Sequence, residues 1–311
     1  MSSSTYQTSV TKRDPVKVMR EAVAKALVFY YPMAGRLREG PNRKLTVECN
    51  GEDAEVTLQQ LGVAPHLPYP YTHEFLFNVV PGSSQVLNCP LLIFQVTRLK
   101  CGGFTFAFKF NHAMCDGLGM FQFCSAVSEI ACGADAPSIL PVWERHLLDS
   151  IDPPKVTHQH LEYASEEKLV DRSFLFGPKE LSTLRSLVPH LKKLHLIRTI
   201  ALQLPPNQEV RLMCTLNARH KLFNPPLPRG YYGNAIVCPV ALAAASDLTQ
   251  NPLGYALELV KMAKAQLSRD YFSSVASLMA TKGRPSYMIN TQLDWNENYK
   301  IKKITSTHSA L

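Results

Sequence analysis

The chain has 311 residues, of which 46% are hydrophobic and 19% charged, with a formal net charge of +8. That is enough length and apolar content for one large core or two smaller ones, and it excludes a disordered chain. No run of ~18 or more apolar residues occurs, and the best candidate, Ala235 to Ala245, is broken by Pro239, so a soluble protein without a membrane span is expected.

The first 13 residues are rich in Ser and Thr, carry Lys12 and Arg13, and read as a disordered tail rather than a transit peptide. Asp14 and Pro15 then open a predicted helix in which Val16, Met19, Val23, Ala26, Leu27 and Tyr30 recur at helical spacing up to Pro32. A reversal over Tyr31 to Arg36 precedes a strand at Lys44 to Cys49, and a short helix is expected from Val56 to Leu61. Leu91 to Leu99 and Phe104 to Asn111 predict a hairpin, with Phe104, Phe106, Phe108 and Phe110 on a core-facing side. Asp116-Gly117 starts a second helix that runs to about Ala131 and is closed by Gly133. Residues 135–171 read as a crossover between a first domain (14–134) and a second (172–285). In the second domain, strands are expected at Arg172 to Phe176 and Val210 to Leu216. Helices are expected at Pro178 to Val188 and Pro252 to Leu267, the latter capped by Asn251.

The positive charge alone admits nucleic acid, an anionic surface or an acidic ligand, because all three respond to the same field. Lys and Arg are dispersed, and no finger or aromatic RNA-binding motif occurs, so a phosphate-bearing small molecule is favoured over nucleic acid. Eight cysteines occur without a CxxC pair, and Cys89, Cys124 and Cys238 sit in apolar surroundings, which fits free thiols in the cytoplasm.

The residue group that bears chemistry is Asn111-His-Ala-Met-Cys-Asp-Gly117. A histidine leaving an apolar strand can present its imidazole to a cleft while the strand fixes its backbone. Spacing alone leaves a plainer reading open, in which His112 is a hydrogen-bonded structural histidine and Asp116 only a helix cap. A metal site built from His112 and Cys115, or from His158 and His160, lacks a third ligand at suitable spacing. Serine hydrolase chemistry lacks a GxSxG elbow, and Ser125 falls inside a predicted helix.

His112-Ala-Met-Cys-Asp-Gly117 resembles the HxxxDG motif of the BAHD acyltransferases. Tyr30-Tyr-Pro-Met-Ala-Gly-Arg-Leu37, Pro90-Leu-Leu92, Asn217-Ala-Arg219 and Gly230-Tyr-Tyr-Gly-Asn234 follow the same family in order. Arg36 to Arg43, Cys101-Gly-Gly103 and Pro137-Ser-Ile-Leu-Pro-Val-Trp-Glu-Arg145 are most similar to its alcohol acyltransferase and benzyl alcohol O-benzoyltransferase branch.

The resemblance implies a mixed α/β fold of two domains like chloramphenicol acetyltransferase, with a channel between them. It implies a monomeric enzyme that moves an acyl group from acyl-CoA, its co-substrate, to an alcohol, with no metal. Under it, His112 is the general base, and Asp116 is a structural residue paired with Arg219. Gly117, Asn217, Tyr232, Gly233 and Asn234 would line the channel.

Several family features are not found. The DFGWG motif is absent, the stretches at Glu52-Asp53 and Leu194 to Arg198 are shorter, and residues 286–311 read as an unrelated or disordered tail. The expectation is a second domain that is incomplete and an activity that is weak or lost. The alternative from another class is a non-catalytic remnant that binds coenzyme A or a partner chain.

Overall fold

The computed structural model describes residues 14–40, 44–49, 55–60, 87–98, 103–160, 182, 204–219 and 222–282. The chain divides into two compact units. One holds residues up to Lys155 together with Asn217–Ile236 and Ala276–Gly283, and the other holds Val156–Leu216, Val237–Val275 and Arg284–Leu311. The division is interleaved: residues 217–236 return to the first unit, because their polar groups are bonded to the His112 loop there.

In the first unit, helix α1 (Pro15–Phe29) begins as its residues dictate. Asp14 accepts a hydrogen bond from the amide of Val16, and Pro15 occupies a position where no amide hydrogen is needed. A 3-10 turn (Tyr31–Ala34) leads to strand β1 (Arg36–Glu39), which pairs antiparallel with β2 (Leu45–Glu48). The reversal expected over Tyr31 to Arg36 is therefore followed by a strand that was not foreseen.

Strands β3 (Glu55–Gln60), β4 (Leu92–Arg98) and β5 (Phe104–Phe110) form one sheet in that order, β3 parallel and β5 antiparallel to β4. The short helix expected from Val56 to Leu61 is thus corrected to a strand. Its backbone groups find partners along β4, a neighbour distant in sequence that local periodicity does not reveal.

Helix α2 (Gly117–Ala131) packs along α1 and ends near Gly133, whose φ of +106° suits a residue without Cβ. Its buried residues, Gly119, Met120, Phe123, Ala126, Val127 and Ile130, make one stripe at helical spacing. That stripe joins Val23, Ala26 and Tyr30 of the α1 region and Leu92 and Phe94 of β4 in the main core. Rings run through this core: Tyr30 meets Phe123 edge-on at 5.0 Å, and Phe94 stacks on Phe106 at 5.3 Å. Such pairs each add about 0.5–1.5 kcal/mol beyond burial. Of the four phenylalanines expected to face the core, Phe106 and Phe110 pack against it, whereas Phe104 and Phe108 are exposed.

In the second unit, β6 (Glu209–Met213) pairs antiparallel with β9 (Val240–Ala244), against which helix α4 (Leu253–Ala265) packs. Between them in sequence lie β7 (Leu216–Asn217), paired with β8 (Ile236–Val237), and helix α3 (Ala245–Gln250). Asn251, expected to cap α4, instead ends α3, donating its side-chain Nδ2 to Asp247 O at 3.0 Å, and Pro252 stands at the start of α4. A further helix, α5 (Arg269–Lys282), was not foreseen. Its Ser274 hydroxyl accepts from the amides of Thr157 (2.9 Å) and His158 (3.0 Å) and lies 2.8 Å from His160 Nε2. The strand expected at Arg172 to Phe176 lies outside the described residues, as does the helix at Pro178 to Val188 apart from Ser182, which is helical. Among the described residues no helix is long and apolar enough to cross a membrane, and no group of three His, Cys, Asp or Glu side chains is placed to hold a metal.

Candidate active site

The loop after β5 is fixed before it reaches His112. The amide of Asn111 donates to Leu91 O (2.8 Å), the Asn111 side chain accepts from the amide of Ala113 (3.0 Å), and the amide of Met114 donates to Asn111 O (2.9 Å). This local turn leaves His112 exposed, with its ring 5.7 Å from that of Phe110. Met114 and Cys115, by contrast, are buried as anchors on the other side of the loop. The loop is also held from a distant part of the chain: the Asn234 side-chain amide donates to His112 O at 2.8 Å and to Ala113 O at 3.3 Å.

Asp116, only 1% exposed, closes the loop. Its Oδ1 accepts from the amides of Leu118 (3.1 Å) and Gly119 (3.0 Å) and from Arg219 Nη2 (2.8 Å), while Oδ2 accepts from the amide of Ala235 (3.0 Å). Arg219 in turn donates from Nε to Tyr231 O (3.2 Å), from Nη1 to Asn217 Oδ1 (3.2 Å) and from Nη2 to Gly233 O (2.6 Å). Asp116 is therefore both the cap of α2 and the carboxylate of a buried ion pair. The structure brings His112, Asp116, Asn217, Arg219, Gly233 and Asn234 into one bonded set.

Two of the remaining sequence candidates sit differently. Gly117 is exposed and has open space where a Cβ would be. The ring of Tyr232 is taken up by the core, 1% exposed, because Tyr30 and Trp143 pack against it at 5.0 and 5.5 Å.

Sequence reading missed Gly119. A Cβ there would fall well inside contact distance of Tyr232 O and within 2.9 Å of Cys115 Cβ, so the first turn of α2 can approach the 231–235 segment only without a side chain. The available signal was a glycine inside a helical pattern, which costs ~1 kcal/mol relative to alanine and so needs a reason. Gly119→Ala is expected to destabilise the protein by about 1–3 kcal/mol through overpacking, read as a lower urea midpoint at unchanged m.

Burial works against the charged form of Asp116, but hydrogen bonds from Arg219, Ala235 and Gly119 outweigh it and hold its carboxyl below the usual range. Its contribution to stability is thus complete above the unfolded-state value of ~3.9 and disappears as pH falls through the lower folded value. Urea unfolding followed downward from neutral pH should show this loss only below about pH 4, and Asp116→Asn should lack that component. Burial, with Asp116 next in weight, pushes the Cys115 thiol up to about 12, so it is protonated and inert as a nucleophile near neutrality. A groove between α1 and α2, lined by Asp14, Lys17, Glu21, Lys25 and Ile130 among others, includes no residue of the His112 loop.

The sequence profile of the Transferase family matches residues 5–190 and 178–307, running past Pro285, where the motif resemblance stops. The chain is 51% identical over 309 residues to a benzyl alcohol O-benzoyltransferase of Nicotiana tabacum, covering 90% of this chain and 67% of that protein. It is 49% identical over 311 residues to alcohol acyl transferase 1 allele RGb of Malus domestica, covering 88% and 67%. The fold is similar to that of F. sporotrichioides TRI101 solved with coenzyme A and T-2, with a TM-score of 0.62 at 14% identity over 89% of this chain and 74% of that one. With half its residues shared across nine-tenths of its length, and with the HxxxDG loop built as described, the chain belongs to the Transferase family, the BAHD acyltransferases.

Proposed function

We propose that this chain transfers an acyl group from acyl-CoA to the hydroxyl of a small alcohol, with His112 as general base and without an acyl-enzyme. The observation that supports this most is the exposed His112 imidazole on a loop tied down from both sides, by Asn111 and by Asn234. Relatives sharing half the sequence are named as alcohol acyl transferases and benzoyltransferases.

In the reaction, an imidazole nitrogen of His112 takes the proton of the alcohol as its oxygen attacks the thioester carbonyl. The new carbon–oxygen bond forms, the carbon–sulfur bond breaks, and the departing coenzyme A thiolate recovers the proton. A positioned base of this kind contributes about 10²–10⁴ in rate. Cys115, one residue from the Asp116 cap, is too buried and too firmly protonated to carry the acyl group, which supports direct transfer. Asp116 and Arg219 shape the loop and take no part in proton transfer. The net positive charge favours the phosphates of coenzyme A. On this reading the protein works in the cytoplasm as a monomer.

The test is to supply the purified 311-residue protein with acetyl-CoA or benzoyl-CoA and with benzyl, butyl or hexyl alcohol, measuring free thiol and ester together. Alcohol-dependent thiol release matched by ester is expected, with no covalent acyl adduct in the intact mass. Coenzyme A binding in a calorimeter without any ester would favour the non-catalytic reading.

A further inference from the structure

Arg145 is a half-buried arginine set among aromatic rings. It begins a short 3-10 turn (Arg145–Leu148), and its guanidinium carbon lies 3.7 Å from the ring centre of Trp143, 5.1 Å from that of Tyr232 and 5.8 Å from that of Tyr231. Its Nε and Nη2, like the Tyr232 hydroxyl, are shielded from solvent without a hydrogen bond of good geometry among the described residues, although the Tyr231 and Tyr232 hydroxyls are near enough to the guanidinium to interact with it. Shielded donors left unfilled on a half-buried cation are costly, and attraction to the faces of the neighbouring rings is what offsets that cost. An apolar side chain of similar length would fill the space without the penalty, so the charge itself needs an account.

The rings supply it. Val142 donates its amide to Gly230 O at 2.9 Å, which sets Trp143 and Arg145 beside the segment that begins at Tyr231. That segment makes the long-range contacts of the His112 loop: Asn234 holds His112 O and Ala113 O, and the amide of Ala235 holds Asp116. Arg219 grips it by the carbonyls of Tyr231 and Gly233. Arg145 faces the same segment from the ring side, at Tyr231 and Tyr232, and Gly233 leaves the room its guanidinium needs, since a Cβ there would collide with Nη1.

We infer that Arg145 is a positioning residue for the His112 loop, clamping Tyr231 and Tyr232 so that Asn234 and Ala235 reach it in register. The catalytic meaning of that placement rests on the acyl-transfer reading above; the clamp itself does not.

The experiment compares wild type, Arg145→Met and Arg145→Lys by hydrogen–deuterium exchange and by steady-state kinetics. In Arg145→Met, which keeps the bulk and removes the charge, exchange should quicken about tenfold or more in peptides covering 112–120 and 231–236, and stay unchanged in α1 and the β4–β5 hairpin. Its kcat should fall about 10- to 100-fold with both KM values within roughly threefold, as expected when the base is misplaced but substrates still bind. Arg145→Lys, still cationic, should recover part of both losses. Unchanged exchange in the two segments, or protection lost evenly across the protein, would overturn the inference. Absence of ester synthesis by the wild type would remove the acyl-transfer reading while the exchange comparison still decides the role of Arg145.

Discussion

Replacing His112 by alanine is expected to lower kcat by about 10²–10⁴ while the melting temperature stays within a degree or two of wild type. The two halves of this expectation have separate causes. Catalytically, the proposed mechanism makes the imidazole the proton acceptor, and nothing else on its loop can substitute: Cys115 is buried and protonated, and the Asp116 carboxylate is fully committed to hydrogen bonds. Structurally, the loop is held by Asn111, the Asn234 amide, Met114 and Asp116, and Asn234 binds the backbone carbonyl of residue 112 and not its ring. An alanine keeps that carbonyl. Thiol-release kinetics beside calorimetric melting on the same preparation separates the two effects.

The second large effect is expected at the ion pair. Asp116→Ala leaves the Arg219 guanidinium buried, at 8% exposure, without its carboxylate, and orphans the amides of Gly119 and Ala235. Removing one partner of such a pair costs about 3–5 kcal/mol, several times the ~1 kcal/mol of a lost helix cap alone. Arg219→Met removes the cation but leaves the carboxylate its bonds from the amides of Leu118, Gly119 and Ala235, and should destabilise by less than Asp116→Ala. The two variants together should destabilise by less than the sum of the singles, with a coupling of about 0.5–3 kcal/mol in urea unfolding. Strict additivity would mean that Asp116 serves only as the cap of α2.

What could be read from the sequence was mostly what neighbours in sequence decide. The bounds of helix α2 were legible, because Asp116, the apolar residues from Phe123 to Ile130 and Gly133 all lie within one short segment. The β4–β5 hairpin was legible for the same reason. Strand β3 was taken for a helix because its partner is β4, more than thirty positions away, and Val56 to Leu61 is too short for periodicity to decide. Helix α5 was hidden because its buried face includes serines: Ser274 and Ser277 lie alongside Tyr271, Val275 and Leu278, so the apolar pattern looks broken.

At the site, His112 stood out by chemistry, whereas the Asp116–Arg219 pair spans 103 positions and was supplied only by the family motif. Gly119 escaped notice, and Arg145 was marked only as the end of the stretch Pro137 to Arg145, with no role attached. Their reasons for being there, a close backbone approach and a cage of rings, exist only once residues 231–235 have come back to the His112 loop.

The role of the imidazole is tested most directly by removing it and handing it back. In His112→Gly, ester synthesis should fall to near background and rise in proportion to imidazole added to the buffer, while the same additions leave the wild type unchanged. A His112→Gly protein that turned over as fast as the wild type with no imidazole present would contradict the account.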